Sequence, residues 1–304
     1  MAYEKHLTSF HGFEVVDYRT EKDWKGPGVG YRVRMEYDDE QKCEAILDRL
    51  LAQAGAEGLQ ALIIGAWDGF FEGGDSTGIV SHLVSRAGQL AGLKSLFLGE
   101  MTYEECEISW INQSDVSPLL RVFPNLEAFH VRGGNGLSFS QVEHEHLNTL
   151  SIEAGGLSRD LLREVFACRF PALQRLELLL GDSNYGFDGE VEDLQPLLLG
   201  TLFPNLRYLG LMNSEITDDI AAFIVNSPII RQIESLDLSL GTLTDEGARA
   251  LLSLPTDACL KQLVISHHYL TPEALVQLQK LPFKLTADDP QDPMNEWRGP
   301  VHAE

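Results

Sequence analysis

Two neighbouring segments near the C-terminal end of the chain share one sequence pattern. "IESLDLSLGTLTDEGARALLSLP" (residues 233–255) and "LKQLVISHHYLTPEALVQLQKLP" (residues 260–282) both read L/I-x-x-L-x-L/I, then a short turn, then L-T-x-E and an amphipathic stretch that closes on Leu-Pro. "LRYLGLMNSEITDDIAAFIVNSP" (residues 206–228) has the same form, so the three starts lie 27 residues apart. Less regular copies of the hexad start at residues 173, 147, 126, 93 and 59. Recurrence at this period predicts a repeat architecture.

Each copy combines a strand with a helix. Apolar and polar residues alternate in the hexad, as on a strand with one buried face. The following stretch places Ala248, Leu251 and Leu252 on one side of a helix. Thr244 and Thr271 are expected N-caps, and Pro272 is expected at the first helical position. One unit cannot bury its leucines alone, so we expect about eight stacked units: an α/β solenoid with a curved parallel sheet on the concave side and helices on the convex side.

The hexads and the 27-residue strand–helix unit resemble leucine-rich repeat proteins, closest to the ribonuclease-inhibitor-like class. More narrowly, "EECEISWINQSDVSPLL", "VRGGNGL" and "LGLMNSEITD" resemble an uncharacterised family of bacterial cytoplasmic leucine-rich repeat proteins, some of whose relatives are associated with WGR domains. The resemblance implies no activity. The asparagine that usually ends the strand motif is replaced by Gly134, Gly155, Gly181, Ser214, Gly241 and His268. We expect His268 to bond to the backbone of the adjacent turn.

Three regions are expected along the chain. Residues 1–58 read as an N-terminal cap, with a strand in "GYRVRMEYD" (30–38) and a helix in "DEQKCEAILDRLLAQAGAEG" (39–58). Residues 59–285 form the repeat region, which the cap would shield at its first unit. Residues 286–304 are an acidic, proline-containing tail, expected to be mostly disordered with Trp297 packed against the body.

Charge and composition narrow the class of partner. The formal net charge is −23, and such an acidic chain repels phosphate backbones and anionic lipids. We therefore expect neither nucleic acid nor membrane as a partner, but a protein or peptide with a basic surface. The N-terminus lacks an apolar stretch of secretory length, and the apolar runs are too short to span a membrane. The four cysteines are scattered, which suits reduced thiols in a cytoplasmic protein.

Two motifs suggest chemistry but fit it poorly. In "GGDSTG", Ser76 occupies the nucleophile position of G-x-S-x-G, but the predicted strand ends well before it, whereas a nucleophile elbow joins strand and helix directly. "GDSNYGFDGEVED" (181–193) resembles a calcium loop, but Phe187 stands where that loop needs glycine. We expect a glycine-rich loop with a helix N-cap and an exposed acidic loop. A serine hydrolase using Ser76 and a cation-regulated binding protein using residues 182–193 are the alternatives.

Histidines occur in two close groups. His144 and His146 in "EHEH" (143–146) have no third ligand identifiable from spacing, so a solvated edge is expected there. His267 and His268 are adjacent in the chain and should point to opposite faces of an extended segment. We therefore predict no metal site and no cofactor.

Two surfaces are candidates for binding a partner. Non-leucine positions of the strands would project from the concave face: Phe97, His130, Arg132, Glu153, Arg175, Glu177, Tyr208, Met212 and Asp237. Loops inserted after several strands would gather at one rim and carry Trp67, Phe70, Phe71, Tyr103, Trp110 and Tyr185. Aromatic residues in such loops either bind a partner or fill the end of the core. The predicted function is a non-catalytic protein–protein interaction module or scaffold.

Overall fold

The computed structural model describes residues 4–302, an α/β chain with mostly parallel strands. The strands are Ser9–Phe10 (β1), Phe13–Asp17 (β2), Gly30–Val33 (β3), Ala61–Ile64 (β4), Ser95–Leu98 (β5), Ala128–Arg132 (β6), Thr149–Glu153 (β7), Arg175–Gly181 (β8), Tyr208–Ser214 (β9), Ser235–Asp237 (β10), Gln262–Val264 (β11) and Lys284–Thr286 (β12). The helices are Cys43–Leu51 (α1), Thr77–Ser85 (α2), Ser117–Val122 (α3), Arg159–Ala167 (α4), Gln195–Leu198 (α5), Thr217–Ile224 (α6), Asp245–Leu251 (α7) and Pro272–Leu278 (α8). The outermost residues of the predicted cap and tail, 1–3 and 303–304, lie outside the described residues.

The chain divides into two compact units. The first unit comprises Met1–Ser151 with Ala167–Phe170, and the second comprises Ile152–Phe166 with Pro171–Glu304. In the first unit β1 pairs with β2 in antiparallel fashion, and the pairings from β2 to β6 are parallel and follow chain order. In the second unit the pairings from β8 to β12 are parallel and again follow chain order. The unit boundary falls within β7.

All eight predicted hexads contain a strand, and their leucines lie side by side. Leu236 of β10 is in register with Leu209 of β9 and with Leu263 of β11, and all three are fully buried. Because the segments have a constant period of 27 residues here, equivalent leucines meet at the same level of the sheet. The apolar core of the second unit is therefore built from equivalent positions of successive segments.

Hydrogen bonds at the helix starts link successive segments in the second unit. Thr244 and Thr271 are N-caps whose side chains accept a backbone N–H, and Pro272 opens α8, as predicted. Each of these threonines also donates its hydroxyl to an aspartate of the preceding helix, Thr244 to Asp218 (2.5 Å) and Thr271 to Asp245 (2.8 Å). The same two aspartates accept the threonine N–H groups, at 2.8 Å each. Each helix therefore helps to fix the start of the next one.

Glycine replaces asparagine where two backbone turns approach closely. Gly181 has φ +86°, and a Cβ atom there would lie 1.8 Å from the carbonyl oxygen of Gly155. A Cβ at Gly241 would lie 2.3 Å from Oγ1 of Thr217 and 2.7 Å from the carbonyl oxygen of Ser214. No side chain fits at either position. Glycine therefore allows neighbouring backbone turns to contact each other directly, without an asparagine side chain between them.

The N-terminal region differs in extent from the prediction. The strand covers only Gly30–Val33, and the helix covers only Cys43–Leu51. β3 is buried throughout, and Met35 beyond its end is still buried, whereas Tyr37 is 83% exposed. The hairpin of β1 and β2 was not predicted from the sequence.

The C-terminal tail is hydrogen-bonded to the second unit, contrary to the expectation of disorder. Asn213 donates through Nδ2 to the carbonyl of His302 (2.7 Å) and accepts the His302 N–H through Oδ1 (2.8 Å). Val301 donates its N–H to the carbonyl of Leu240 (3.0 Å). Trp297, which was expected to pack on the body, is 89% exposed. Hydrogen bonds of the tail backbone, and not packing of the Trp297 indole, hold the tail against the second unit.

Within residues 4–302, none of the helices has the length and apolar character needed to cross a bilayer.

Candidate functional site

A row of aromatic rings in the first unit runs from the core to the surface. Trp67 and Phe70 are buried, with ring centroids 5.3 Å apart. Phe70 contacts Phe71 at 5.4 Å, and Phe71 contacts Tyr37 at 5.5 Å. The inner two rings fill the core, so they are not available to a partner. The outer two reach the surface, because Phe71 is half-buried and Tyr37 is exposed.

A second loop brings further exposed rings to the first unit. Tyr103 is 52% exposed and Trp110 is 70% exposed. The loop of Trp110 is attached to the loop of Phe71, since Nδ2 of Asn112 donates to the carbonyl of Gly73 at 3.2 Å. We call the partly or fully exposed set Tyr37, Phe71, Tyr103 and Trp110 the aromatic edge. A surface with several large exposed rings is unusual for a chain that has no partner.

Carboxylates surround the aromatic edge. Residues 36–40 read E-Y-D-D-E, and residues 103–107 read Y-E-E-C-E. Some of these charges are neutralised within the chain: Asp39 pairs with Arg19 at 2.6 Å, and Glu36 lies 3.8 Å from the same arginine. Asp38, Glu40 and Glu104 are exposed.

An open depression next to this segment is lined by groups of both charges. It lies along the start of α1 and is lined by Glu40, Gln41, Lys42, Glu44, Ala45, Asp48 and Arg49. Of its three carboxylates, Asp48 is already paired with Arg86 at 2.7 Å. The exposed carboxylates of Asp38 and Glu40 beside Tyr37 favour a positively charged ligand.

A buried ion network ties the N-terminal segment to the base of this edge. Glu100, only 1% exposed, accepts hydrogen bonds from Arg32 Nε at 2.6 Å and from His6 Nδ1 at 2.9 Å. His6 also contacts Glu105 through Nε2 (3.2 Å), and Arg34 donates to Glu105 at 2.8 Å. Hydrogen bonds to Glu100 and Glu105 raise the pKa of His6 to about 9. Burial opposes ionisation of Glu100, but its bonds to His6 and Arg32 more than offset this and lower its pKa.

The predicted sheet-face residues of the first unit are largely covered. Phe97 is 1% exposed because Phe10 of the β1–β2 hairpin packs against it, with centroids 5.9 Å apart. Arg132 is 4% exposed, and its guanidinium lies 5.2 Å from the Phe97 ring centroid. The hairpin therefore covers Phe97, while Arg132 is buried with its Nη1 donating to the carbonyl of Met101, so the expectation of an open groove at these two residues is wrong. His130 remains half-buried, with its Nε2 atom 2.9 Å from Nε2 of His11.

The predicted sheet-face residues of the second unit bind one another. The Arg175 guanidinium stacks on the Tyr208 ring at 3.4 Å, and its Nε donates to Glu177 at 3.0 Å. Tyr208 donates its hydroxyl to Asp237 at 2.6 Å. Asp237 and Met212 are 8% and 9% exposed, so the expectation that they project freely is corrected. Arg175, with a side chain that is 41% exposed, is the most accessible of these charged groups.

Two predicted residues occupy intermediate positions in the second unit. Glu153, at the end of β7, is half-buried. Tyr185, in the loop after β8, is also half-buried. Sequence reasoning missed Tyr37, although its position between acidic residues could have drawn attention to it.

Ser76 is not arranged as a nucleophile. Its side chain is fully buried, and Oγ lies 2.8 Å from Oγ of Ser114. It precedes α2 without a side-chain cap hydrogen bond. A nucleophilic serine needs a neighbouring base within hydrogen-bond reach. The hydrogen-bond partner of Ser76 Oγ is instead the hydroxyl of Ser114.

Asp182, Asp188 and Asp193 of the 182–193 loop already have partners within the chain. Asp188 accepts the backbone N–H of Arg159 at 2.6 Å, and Asp193 pairs with Nε of Arg159 at 3.0 Å. Asp193 also lies 3.5 Å from Arg163. Asp182 caps its own turn by accepting the N–H of Asn184 at 2.7 Å. A cation at this loop would have to displace these contacts.

The histidines that lie close together in the sequence do not point towards a common binding site. His144 is buried and lies 3.0 Å from the carbonyl of Phe123 through Nε2, whereas His146 bonds to the carbonyl of Pro124 at 3.0 Å. His267 pairs with Asp289 at 3.0 Å, and Nδ1 of His268 accepts the N–H of Leu270 at 3.2 Å, within its own turn. Among residues 4–302, no three or more histidine, cysteine, aspartate or glutamate side chains are grouped as a metal site.

Comparison with solved structures identifies a similar protein from Bacteroides fragilis, whose crystal structure was determined by the Northeast Structural Genomics Consortium. The two chains are 33% identical and superpose with a TM-score of 0.80, and the match covers 86% of this chain and 75% of that chain. No protein-family model matches the sequence. No curated protein matches it either.

Proposed function

We propose that this chain, which belongs to the same family as the Bacteroides fragilis protein, is a non-catalytic module that binds a basic segment of another protein at the aromatic edge. One observation carries the proposal: the rings of Tyr37 and Trp110 are 83% and 70% exposed beside carboxylate-rich segments. Keeping large rings in water forgoes the stabilisation that burial would give, and a bound partner would recover it.

The chemistry of the edge suits arginine and lysine side chains. A guanidinium or ammonium group can lie on an aromatic face while nearby carboxylates neutralise it. The overall charge of −23 would also attract a basic partner from a distance and raise the association rate. Such attraction weakens as salt concentration rises.

A defined peptide tests this proposal. A short fluorescent peptide of alternating arginine and glycine is titrated with the full chain, and anisotropy gives the dissociation constant. A peptide with glutamate in place of arginine is the charge control. We expect the arginine peptide to bind with an affinity that falls at high salt, and the glutamate peptide not to bind. Tyr37→Ala and Trp110→Ala should each weaken it roughly 5- to 30-fold, the range expected for an aromatic anchor.

A matched control comes from the second unit. Trp297 is 89% exposed but lies outside the aromatic edge, so Trp297→Ala should leave peptide affinity unchanged. Loss of affinity in Arg175→Ala or Tyr208→Ala, with none in Tyr37→Ala or Trp110→Ala, would instead assign binding to the sheet face of the second unit. Equal affinity for both peptides would eliminate the basic-partner proposal.

We further propose that the fold is a leucine-rich repeat solenoid of the ribonuclease-inhibitor-like class with about eight repeats. The support is the constant 27-residue period and the register of equivalent leucines in the second unit. A cytoplasmic location and the absence of nucleic-acid binding are proposed from the reduced cysteines and the negative charge.

A further inference from the structure

His11 and His130 bring two imidazole nitrogens together from distant parts of the sequence. Their Nε2 atoms lie 2.9 Å apart, although the residues are separated by 119 positions. His11 is exposed at the turn between β1 and β2, and His130 is half-buried on β6. Both belong to the first unit and lie outside the aromatic edge.

The two rings are held in place by phenylalanines. The Phe10 ring packs edge-on against both, with centroids 4.7 Å from His11 and 5.2 Å from His130. Phe97 supports His130 from another side, at 5.4 Å. Both phenylalanines belong to a buried apolar cluster with Ala61 and Ile63. The imidazoles therefore stand on a rigid apolar base, which lowers the entropy lost when they bind a ligand together.

The backbone at His11 is set in a conformation that is uncommon for its residue type. His11 has φ +45° and Gly12 has φ +86°, while Phe10 and Phe13 pair across the hairpin. A two-residue hairpin turn with both φ values positive usually carries asparagine and glycine. The histidine here directs its ring towards His130, whereas an asparagine would form the same turn with a shorter side chain.

We propose that His11 and His130 form a binding site for a borderline divalent transition metal ion such as Zn²⁺. Imidazole is a preferred ligand of such ions, whereas Mg²⁺ and Ca²⁺ prefer oxygen. Zn–N bonds of about 2.0–2.1 Å in tetrahedral geometry place two ligand nitrogens about 3.3 Å apart. The Nε2 atoms would thus separate by about 0.4 Å, and both rings would rotate so that their lone pairs point at the ion instead of at each other. Water or a group from a bound partner would complete the coordination.

Proton balance for metal binding is simple. A hydrogen bond between two Nε2 atoms requires one Nε2–H donor and one Nε2 lone pair. On binding, both rings present Nε2 lone pairs and carry their protons on Nδ1, so the donor ring changes tautomer and a neutral pair releases no net proton. If either ring is charged beforehand, its extra proton is released, and binding therefore weakens as pH falls. The Arg132 guanidinium on Phe97 adds a nearby positive charge that repels any cation, so the imidazole–metal bonds have to outweigh this repulsion.

Calorimetry with the metal alone tests the proposal on the untagged full-length chain at neutral pH. We expect Zn²⁺ to bind with a heat that Mg²⁺ does not reproduce. His11→Asn keeps a residue suited to the positive φ and removes the imidazole, and His130→Asn removes the other ligand. Each should weaken Zn²⁺ binding at least tenfold. His146→Asn removes an exposed histidine elsewhere and should have no effect on this site.

Two further readouts separate loss of a ligand from loss of fold. Circular dichroism melting without metal should give similar midpoints for the wild-type chain and the variants, and only the wild-type midpoint should rise with Zn²⁺. Nitrogen NMR should show Nε2 of both His11 and His130 shifting on metal addition. The proposal is overturned if Zn²⁺ binding is absent at millimolar metal, or if either substitution leaves it unchanged. Since peptide binding is measured without metal, failure here does not bear on the aromatic edge.

Discussion

The carboxylate of Asp245 holds Thr271 by two hydrogen bonds, one from its backbone N–H and one from its hydroxyl, both 2.8 Å long. Asp218 holds Thr244 in the same way 27 residues earlier in the chain, and it also accepts the N–H of Gly247 at 3.1 Å. Each threonine is the N-cap of the next helix. A side chain of one segment thus satisfies backbone groups at the start of the next, where a helix leaves N–H groups unpaired.

Asp245→Ala should lower the free energy of unfolding by about 1–2 kcal/mol, because it removes two hydrogen bonds at a helix start. Urea denaturation followed by circular dichroism measures the change. Asp219→Ala, at an exposed neighbouring position of α6, is the control and should change stability by less than about 0.5 kcal/mol. Equal effects of the two substitutions would contradict the linking role of Asp245.

Stability should fall at alkaline pH through His6. Its pKa is raised from 6.5 to about 9 in the folded chain by hydrogen bonds to Glu100 and Glu105. A raised folded pKa means that the contribution is fully present below pH 6.5 and is lost as pH rises through about 9. We expect the wild-type chain to lose about 1–3 kcal/mol between pH 6.5 and pH 10 from this group.

His6→Gln checks that expectation, because it removes the titrating group and should flatten this part of the pH profile. Urea denaturation at a series of pH values supplies the profile, and an NMR titration of the His6 ring supplies its pKa directly. A wild-type profile and a His6→Gln profile that run parallel would show that His6 does not contribute.

Tyr208→Phe should destabilise the chain by about 1–2 kcal/mol, since Oδ2 of Asp237, a mostly buried carboxylate, loses the donor that lies 2.6 Å away. Burial is also the main reason why the pKa of the Tyr208 phenol is raised, so the hydroxyl remains a donor at neutral pH. The peptide titration described above should be unaffected by this change. Peptide affinity that falls with unchanged stability would instead make Tyr208 a contact residue.

Gly181→Ala should be far more damaging than Gly12→Ala. Both glycines have φ +86°, so both substitutions carry the cost of a side chain at positive φ, about 1 kcal/mol. At Gly12 a Cβ atom meets nothing within 4 Å, whereas at Gly181 it would lie 1.8 Å from the Gly155 carbonyl oxygen. We expect a loss above about 3 kcal/mol for Gly181→Ala, or failure to fold. The difference in melting temperature between Gly181→Ala and Gly12→Ala measures the steric clash at Gly181, because both variants carry the cost of a positive φ.

The sequence was sufficient to place the strands of the eight hexads because the hexad pattern recurs, with a constant period in the last three. Leu209, Leu236 and Leu263 recur every 27 residues, and each lies in a strand. The helix starts at Thr244 and Thr271 were also predictable, since capping is a local property of the chain. The aspartate–threonine links could have been found by the same alignment, because Asp218 and Asp245 occupy equivalent positions.

Features that depend on distant contacts could not be predicted in this way. The sequence does not show that Phe10 covers Phe97, or that His11 meets His130, because these pairs are far apart in the chain and follow no period. The exposure of individual side chains in the loops could not be predicted from the sequence either. Trp67 and Trp110 are the same residue type in loops of similar character, yet one is 1% exposed and the other 70%.

The contacts of His6 with Glu100 and Glu105 have a consequence for biosynthesis. The histidine leaves the ribosome before its partners, which follow 94 and 99 positions later. During that interval the segment around His6 has neither carboxylate partner available. Closure of so long a chain loop is slow compared with local helix formation. The segment around His6 is therefore synthesised well before it can bind its partners, so a nascent chain would depend on chaperones there for a long time.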